Sequence, residues 1–174
     1  MEKITLNNKT YDVIKLLGKG KGGYSYLVEL DGNKYCLKQI HHEPCSYYTF
    51  SDKLQSELND YNTLKDLIRL PKLIEYDKEN ERILKQYIDG KRIDELVKSD
   101  NITPDIMKQL YKFLDILYKN NLNIDYYPTN FIVEKGMLYY IDYECNKYME
   151  KWNFENWGIK YWNKTKEFLE SFKD

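Results

Sequence analysis

Leu122-Asn123-Ile124-Asp125-Tyr126-Tyr127-Pro128-Thr129-Asn130-Phe131-Ile132-Val133-Glu134-Lys135-Gly136-Met137-Leu138-Tyr139-Tyr140-Ile141-Asp142-Tyr143-Glu144-Cys145 sets two aspartates and an asparagine beside apolar runs. Asp125 and Asn130 flank a short loop that contains Pro128. Phe131-Ile132-Val133, β-branched and aromatic, reads as a strand. Glu134-Lys135-Gly136 reads as a turn, and Met137 to Ile141 as the returning strand, ended by Asp142. The open ends of an antiparallel pair are neighbours, so Asn130 and Asp142 are expected side by side. Two carboxylates and a carboxamide oxygen then converge. Hard oxygen ligands of that kind suit Mg²⁺ bound together with substrate phosphates. The plainer alternative is a hairpin with solvated polar ends, and the flanking sequence has to decide between them.

Upstream, Thr103-Pro104-Asp105 is a helix start, a capping residue followed by proline at the first position. Ile106, Leu110, Phe113, Leu114 and Leu117 keep the 3.6 period of a core-facing helix that ends in Lys119-Asn120-Asn121. Ile93 to Lys98 reads as a shorter helix. Downstream, Asn153 to Phe172 reads as one or two helices, with Trp152, Phe154, Trp157, Ile159, Trp162, Phe168 and Leu169 to bury.

The first half has strand patterns. Thr10 to Leu17 reads as a strand with Tyr11, Val13 and Leu16 inward. Gly18-Lys19-Gly20-Lys21-Gly22-Gly23 follows, then Tyr24 to Leu30, an Asp31-Gly32 hairpin turn and Lys34 to Ile40. The glycines therefore lie between two strands. A Rossmann or Walker loop opens a helix, and no helical period follows here. Ser51 is a potential cap for a helix to about Leu67, with Leu54, Leu58, Tyr61 and Leu64 as its stripe and Glu57 on the border. Leu70 to Tyr76 and Arg82 to Ile88 complete five strands.

These motifs, in this order, resemble the protein-kinase-like superfamily. Asp125 to Asn130 followed by Asp142-Tyr143-Glu144 is similar to H-R-D-x-x-x-x-N and D-F-G, with Asn123, Ile124 and Glu144 in place of His, Arg and Gly. Leu17 to Val28 resembles the kinase glycine-rich loop, with Ser25 in place of its valine. Tyr35-Cys36-Leu37-Lys38 resembles V-A-I-K. The resemblance implies an α+β, bilobal, protein-kinase-like fold. Its N-lobe, about 1–88, would hold a five-stranded antiparallel sheet with one helix. A hinge over about 86–91 and a reduced, mostly helical C-lobe over about 92–174 would complete a single minimal domain.

It also implies roles. Gly18, Gly20, Gly22 and Gly23 would cover ATP phosphates, because glycine lets backbone approach closely. Lys38, oriented by Glu57, would neutralise them, with Glu43 a weaker competitor for the lysine. The backbone of Gln86 and Ile88 would bond adenine. Asn130 and Asp142 would hold Mg²⁺, and Asp125 would orient the acceptor hydroxyl. No A-P-E motif follows Asp142, and a full activation segment does not fit in the remaining chain. The acceptor is therefore a protein, as for the small minimal microbial kinases, or a small molecule. The acid after the metal aspartate is similar to the choline-kinase and aminoglycoside-phosphotransferase branch. Loss of His, Arg and Gly also fits a pseudokinase scaffold.

Bulk properties agree with a globular protein. The 174 residues are 42% hydrophobic and 16% aromatic, with net charge -1. No basic excess points to nucleic acid or an anionic membrane. Met1 to Leu6 lacks the apolar core of a signal peptide, and no apolar run is long enough to span a bilayer. Cys36, Cys45 and Cys145, odd in number and scattered, suggest reduced thiols in a cytoplasmic protein. The 18 tyrosines read as packing residues. His41 and His42 read as surface-loop residues.

Overall fold

The computed structural model describes residues 2–44 and 52–173. Cys45 and the expected cap Ser51 lie outside them. The architecture is α+β. Two compact units form, one from Met1–Asn59 and Pro71–Tyr87, the other from Asp60–Leu70 and Ile88–Asp174. No helix among the described residues is long and apolar enough to cross a membrane.

The first unit is built on six strands: β1 (Lys3–Leu6), β2 (Lys9–Lys19), β3 (Gly23–Leu30), β4 (Asn33–Ile40), β5 (Leu73–Asp77) and β6 (Arg82–Gln86). Their order is β1-β2-β3-β4-β6-β5, antiparallel throughout. The sequence predicts five. The additional strand, β1, is four residues with an exposed start, too short and too polar to declare itself. It forms because Asn7 turns with a φ of 54° and sends the chain back as β2. Asp31 and Gly32, with φ of 53° and 79°, make the expected tight turn between β3 and β4. Leu6, Tyr11, Val28, Leu37 and Leu84 form this unit's core. Leu16, expected inward, is 52% exposed. A register shift between Val13 and Lys15 upsets the alternation, and one residue of slip turns a side chain to the other face.

The sheet curls until its two edges are stitched together. The Asn7 amide N–H donates to Asp77 Oδ2 at 2.9 Å, and its side chain donates to Glu75 at 2.8 Å. Asp77 also accepts from the Asn80 backbone and side chain, each at 3.0 Å. These bonds, the Asn80 side chain first, hold the Asp77 carboxyl down at about 2. A depressed carboxylate stabilises above its unfolded pKa, and the gain fades as pH falls toward the folded one. Asp77→Ala is thus expected to cost about 2 kcal/mol at neutral pH. Urea unfolding should show the gap between the two proteins closing between pH 4 and pH 2. A gap that ignores pH would mean that Asp77 acts only by filling space.

α1 (Lys53–Leu64) buries Leu54, Leu58 and Leu64, and the Asp52 carboxylate accepts the Gln55 N–H at 3.0 Å at its start.

The second unit contains β7 (Lys91–Arg92), α2 (Ile93–Lys98), α3 (Pro104–Lys119), β8 (Leu122–Asn123), β9 (Phe131–Glu134), β10 (Met137–Tyr140) and β11 (Asn146–Lys147). α3 has the expected bounds. The Thr103 hydroxyl caps the Ile106 N–H at 3.2 Å, and all five stripe residues are buried. β10, β9 and β7 form a three-stranded sheet, and β8 pairs with β11. Gly90 permits the approach of β7 to β9, since a Cβ there would lie 2.0 Å from the Val133 carbonyl oxygen. Lys135 and Gly136, φ of 50° and 79°, turn β9 into β10.

The tail departs from expectation. It is a 3₁₀ turn (Glu150–Trp152), a π-type turn (Phe154–Gly158), a second 3₁₀ turn (Ile159–Tyr161) and α4 (Lys166–Ser171). Turns of different period do not keep one face inward. Phe154, Trp162 and Phe168 are buried, whereas Trp152, Ile159 and Leu169 are exposed.

Candidate functional site

Each unit assembles its own set of polar groups. In the first, β2 and β3 stay paired as far as Lys19 and Tyr24, and Gly20–Gly22 form the tip. Gly23 is glycine for a packing reason, since a Cβ would sit 2.8 Å from both the Gln39 carbonyl oxygen and Lys38 Cε. Gly18 and Gly22 have nothing within 4 Å of such a Cβ, and Gly20 only the Gly23 carbonyl oxygen at 4.0 Å. None of these three has a positive φ. Neither internal packing nor backbone geometry demands glycine there, so their effect is a bare backbone face.

The tip is held from one side. The Gly20 N–H donates to the Gly23 carbonyl at 2.9 Å, and the His41 N–H to the Gly22 carbonyl at 3.1 Å. His41 Nε2 lies 2.8 Å from the Gly20 carbonyl and its Nδ1 faces the Glu43 N–H at 3.2 Å, a pairing that fixes the Nε2–H tautomer. Its side chain is only 10% exposed. The sequence marks His41 as a surface-loop residue. The loop bends back onto the glycines instead and turns the imidazole inward. Glu43 accepts from the Tyr24 hydroxyl and, at 3.0 Å, from Lys19. Those hydrogen bonds, Tyr24 first, lower the Glu43 pKa.

Lys38 pairs with Glu57 of α1, as expected, while Glu43 pairs with Lys19. The strand sends Leu37 into the core and Lys38 to the opposite face. Both members of the pair have side chains 14% exposed. Glu57 Oε2 is buried and accepts no hydrogen bond. At the end of β6, the Gln86 N–H donates to the Lys72 carbonyl at 2.9 Å, and its side-chain oxygen accepts the Lys72 N–H at 3.1 Å. Ile88, two residues on, buries its side chain.

In the second unit the hairpin closes as the sequence predicts. Phe131 faces Tyr140, and the Ile141 N–H donates to the Asn130 carbonyl at 2.9 Å, so Asp142 emerges beside Asn130. Asn130 Nδ2 donates to the Asp125 carbonyl at 3.4 Å. That commits the amide nitrogen and leaves Oδ1 as the acceptor atom. Asp125 Oδ1 accepts the Tyr127 N–H at 3.1 Å, and Asp142 Oδ1 the Tyr143 N–H at 2.9 Å. Among the described residues no group of three or more His, Cys, Asp or Glu side chains could cage a metal. One carboxylate and one amide oxygen instead fit Mg²⁺, which keeps waters and takes further oxygens from a phosphate ligand.

Buried groups fix this loop. The Tyr140 hydroxyl accepts the Asp125 N–H at 3.3 Å and donates to the Glu144 carbonyl at 2.9 Å. Burial first, then the charges of Asp142, Glu144 and Asp125, push its pKa far upward, so it stays protonated. The Trp162 indole N–H donates to the Tyr126 carbonyl at 2.8 Å. Asn123 donates to the Met149 carbonyl at 3.0 Å and accepts from the Tyr126 hydroxyl at 3.3 Å. Gly158 lets the tail reach this loop, since a Cβ there would lie 2.7 Å from Tyr126 Cβ. Past Asp142, Tyr143 packs on Tyr61 with ring centres 4.6 Å apart, and the Cys145 N–H donates to Asp60 at 3.1 Å. Burial and Asp60 push the Cys145 thiol up to about 12.

The structure thus brings Asp125, Asn130 and Asp142 together in one unit and joins Lys38 to Glu57 beside Gly23 in the other. The sequence assigns no part in the site to His41, Tyr140 or Trp162, and reads Asn123 only as a replaced motif position. The one signal available is that a buried Trp or Tyr needs a partner for its polar atom. No family model matches the chain, and no curated protein matches it.

Proposed function

We propose that the protein is an ATP- and Mg²⁺-dependent phosphotransferase of the kinase-like class, its two units corresponding to the lobes of that bilobal fold. The observation that supports this most is the Lys38–Glu57 pair. A buried ion pair contributes little net stability, because desolvation offsets the attraction. Its use lies in orientation. Glu57 holds an ammonium in place to meet an anion, beside Gly23, from which the chain runs back to a glycine tip whose bare backbone no internal packing explains.

The roles are those that the resemblance implies. Gly18, Gly20, Gly22 and Gly23 cover the phosphates, and Lys38 neutralises their charge. The backbone of Gln86 and Ile88 receives the base. Asn130 and Asp142 would hold Mg²⁺, which when bound supplies charge neutralisation for the γ-phosphate. Asp125 orients the acceptor hydroxyl and takes its proton late in transfer. Phosphoryl transfer needs mainly positioning and charge stabilisation, and these groups provide both. A protein hydroxyl is the favoured acceptor. The tail of short turns, with one six-residue helix, gives some support to a small-molecule acceptor instead.

The test is thermal unfolding. ATP with Mg²⁺ at a hundred times its Kd should raise the Tm by about 5 °C or more, and ATP with EDTA by far less. Lys38→Ala should lose most of that shift. An unchanged melting curve with millimolar Mg·ATP would sink the nucleotide assignment. Binding without turnover on any acceptor would favour the pseudokinase scaffold.

A further inference from the structure

We infer that Tyr140 is a positioning residue for the Asp125 loop. This rests on the proposed phosphotransfer and adds a residue to its machinery. The hydroxyl is a single buried oxygen that meets two segments at once. It accepts the N–H of Asp125 at 3.3 Å and donates to the carbonyl of Glu144, two residues past Asp142, at 2.9 Å. Each of its partners is a backbone group, so the bonds fix the chain and not merely a rotamer.

The clamp is completed from the next residue, where the Trp162 indole N–H holds the Tyr126 carbonyl at 2.8 Å. Asp125 therefore sits in a backbone pinned at its own N–H and at the following carbonyl. Loops are ordinarily the least constrained part of a fold, and a general base needs placement to a fraction of an ångström. Packing does not require the oxygen. The Tyr140 ring lies in the core against Phe131, centres 5.2 Å apart, and phenylalanine would fill that space as well. An oxygen buried at such a junction costs desolvation unless both its bonds are made. Both are made, to the two segments that present the carboxylates.

Tyr140→Phe removes the oxygen and keeps the ring, so the variant should fold. Two measurements decide its role. Backbone hydrogen exchange should show the Asp125 amide opening about tenfold or more faster, with α3 amides changed far less. Steady-state kinetics should show kcat lowered about tenfold, with the KM for ATP within about twofold. Trp162→Phe, which removes the second donor, should also lower kcat. A residue that only adds stability would lower the Tm without changing kcat well below it. Equal kcat and an unchanged Asp125 amide would overturn the inference while leaving the phosphotransferase assignment standing. If the wild-type protein transfers no phosphate, that assignment fails and the Asp125 amide alone still decides whether Tyr140 holds the loop.

Discussion

Asp125→Asn is expected to lower phosphoryl transfer roughly a hundredfold or more, with Mg·ATP affinity nearly unchanged. Asparagine preserves the shape and can still accept the Tyr127 N–H, the bond that Asp125 Oδ1 makes at 3.1 Å. The charge and basicity are lost, so the acceptor hydroxyl is neither oriented by an anion nor deprotonated late in transfer. A purely structural Asp125 gives another pattern. Replacing a loop-capping carboxylate costs about 1 kcal/mol of stability and no specific activity. Nucleotide titration and phosphate transfer on the same pair of proteins separate the two. Equal turnover would remove Asp125 from the mechanism.

Asp142→Ala should act at an earlier step. The Mg²⁺-dependent part of the ATP-induced Tm shift should vanish, and turnover should fall roughly a thousandfold. Asn130 alone offers one neutral oxygen, too little to hold a divalent ion against water. Glu144→Ala is expected to be milder, within about a hundredfold, the range for a residue that supports a metal ligand. Melting curves for the three proteins with ATP, with and without Mg²⁺, make the comparison. If Glu144→Ala proves the more damaging, the metal assignment moves two residues along the chain.

Local signals made much of this molecule legible. α3 has the bounds that a cap, a leading proline and a 3.6 period dictate, and α2 spans the residues read for it. The two turns read from the sequence fall at Asp31-Gly32 and Lys135-Gly136, which take positive φ. Glu57 is readable because it borders the apolar stripe of the helix that follows the Lys38 strand. The failures are non-local. β1 forms because Asn7 finds Asp77, seventy residues away. His41 turns inward because Gly20 and Gly22 present carbonyls to it. Tyr140 and Trp162 look like any aromatic residues bound for a core. Only the folded chain shows that their polar atoms end on the Asp125 loop. In the tail, where the sequence suggests one or two helices, three short turns around Gly158 precede the single helix α4.

The way the chain is shared between the units has a practical consequence for dissecting the gene. Asp60–Leu70 belongs to the second unit, yet Pro71–Tyr87 returns to the first. No single cut yields two complete halves. An expression plasmid ending at Tyr87 would contain all of the first unit's residues but also Leu64 and Ile68, apolar side chains whose packing partners lie in the second. One starting at Ile88 would lack those same two side chains and the Asp60 carboxylate that receives the Cys145 N–H. Such fragments are expected to be poorly soluble when made separately. Co-expressed from one operon, they should recover each other, as split reporters do.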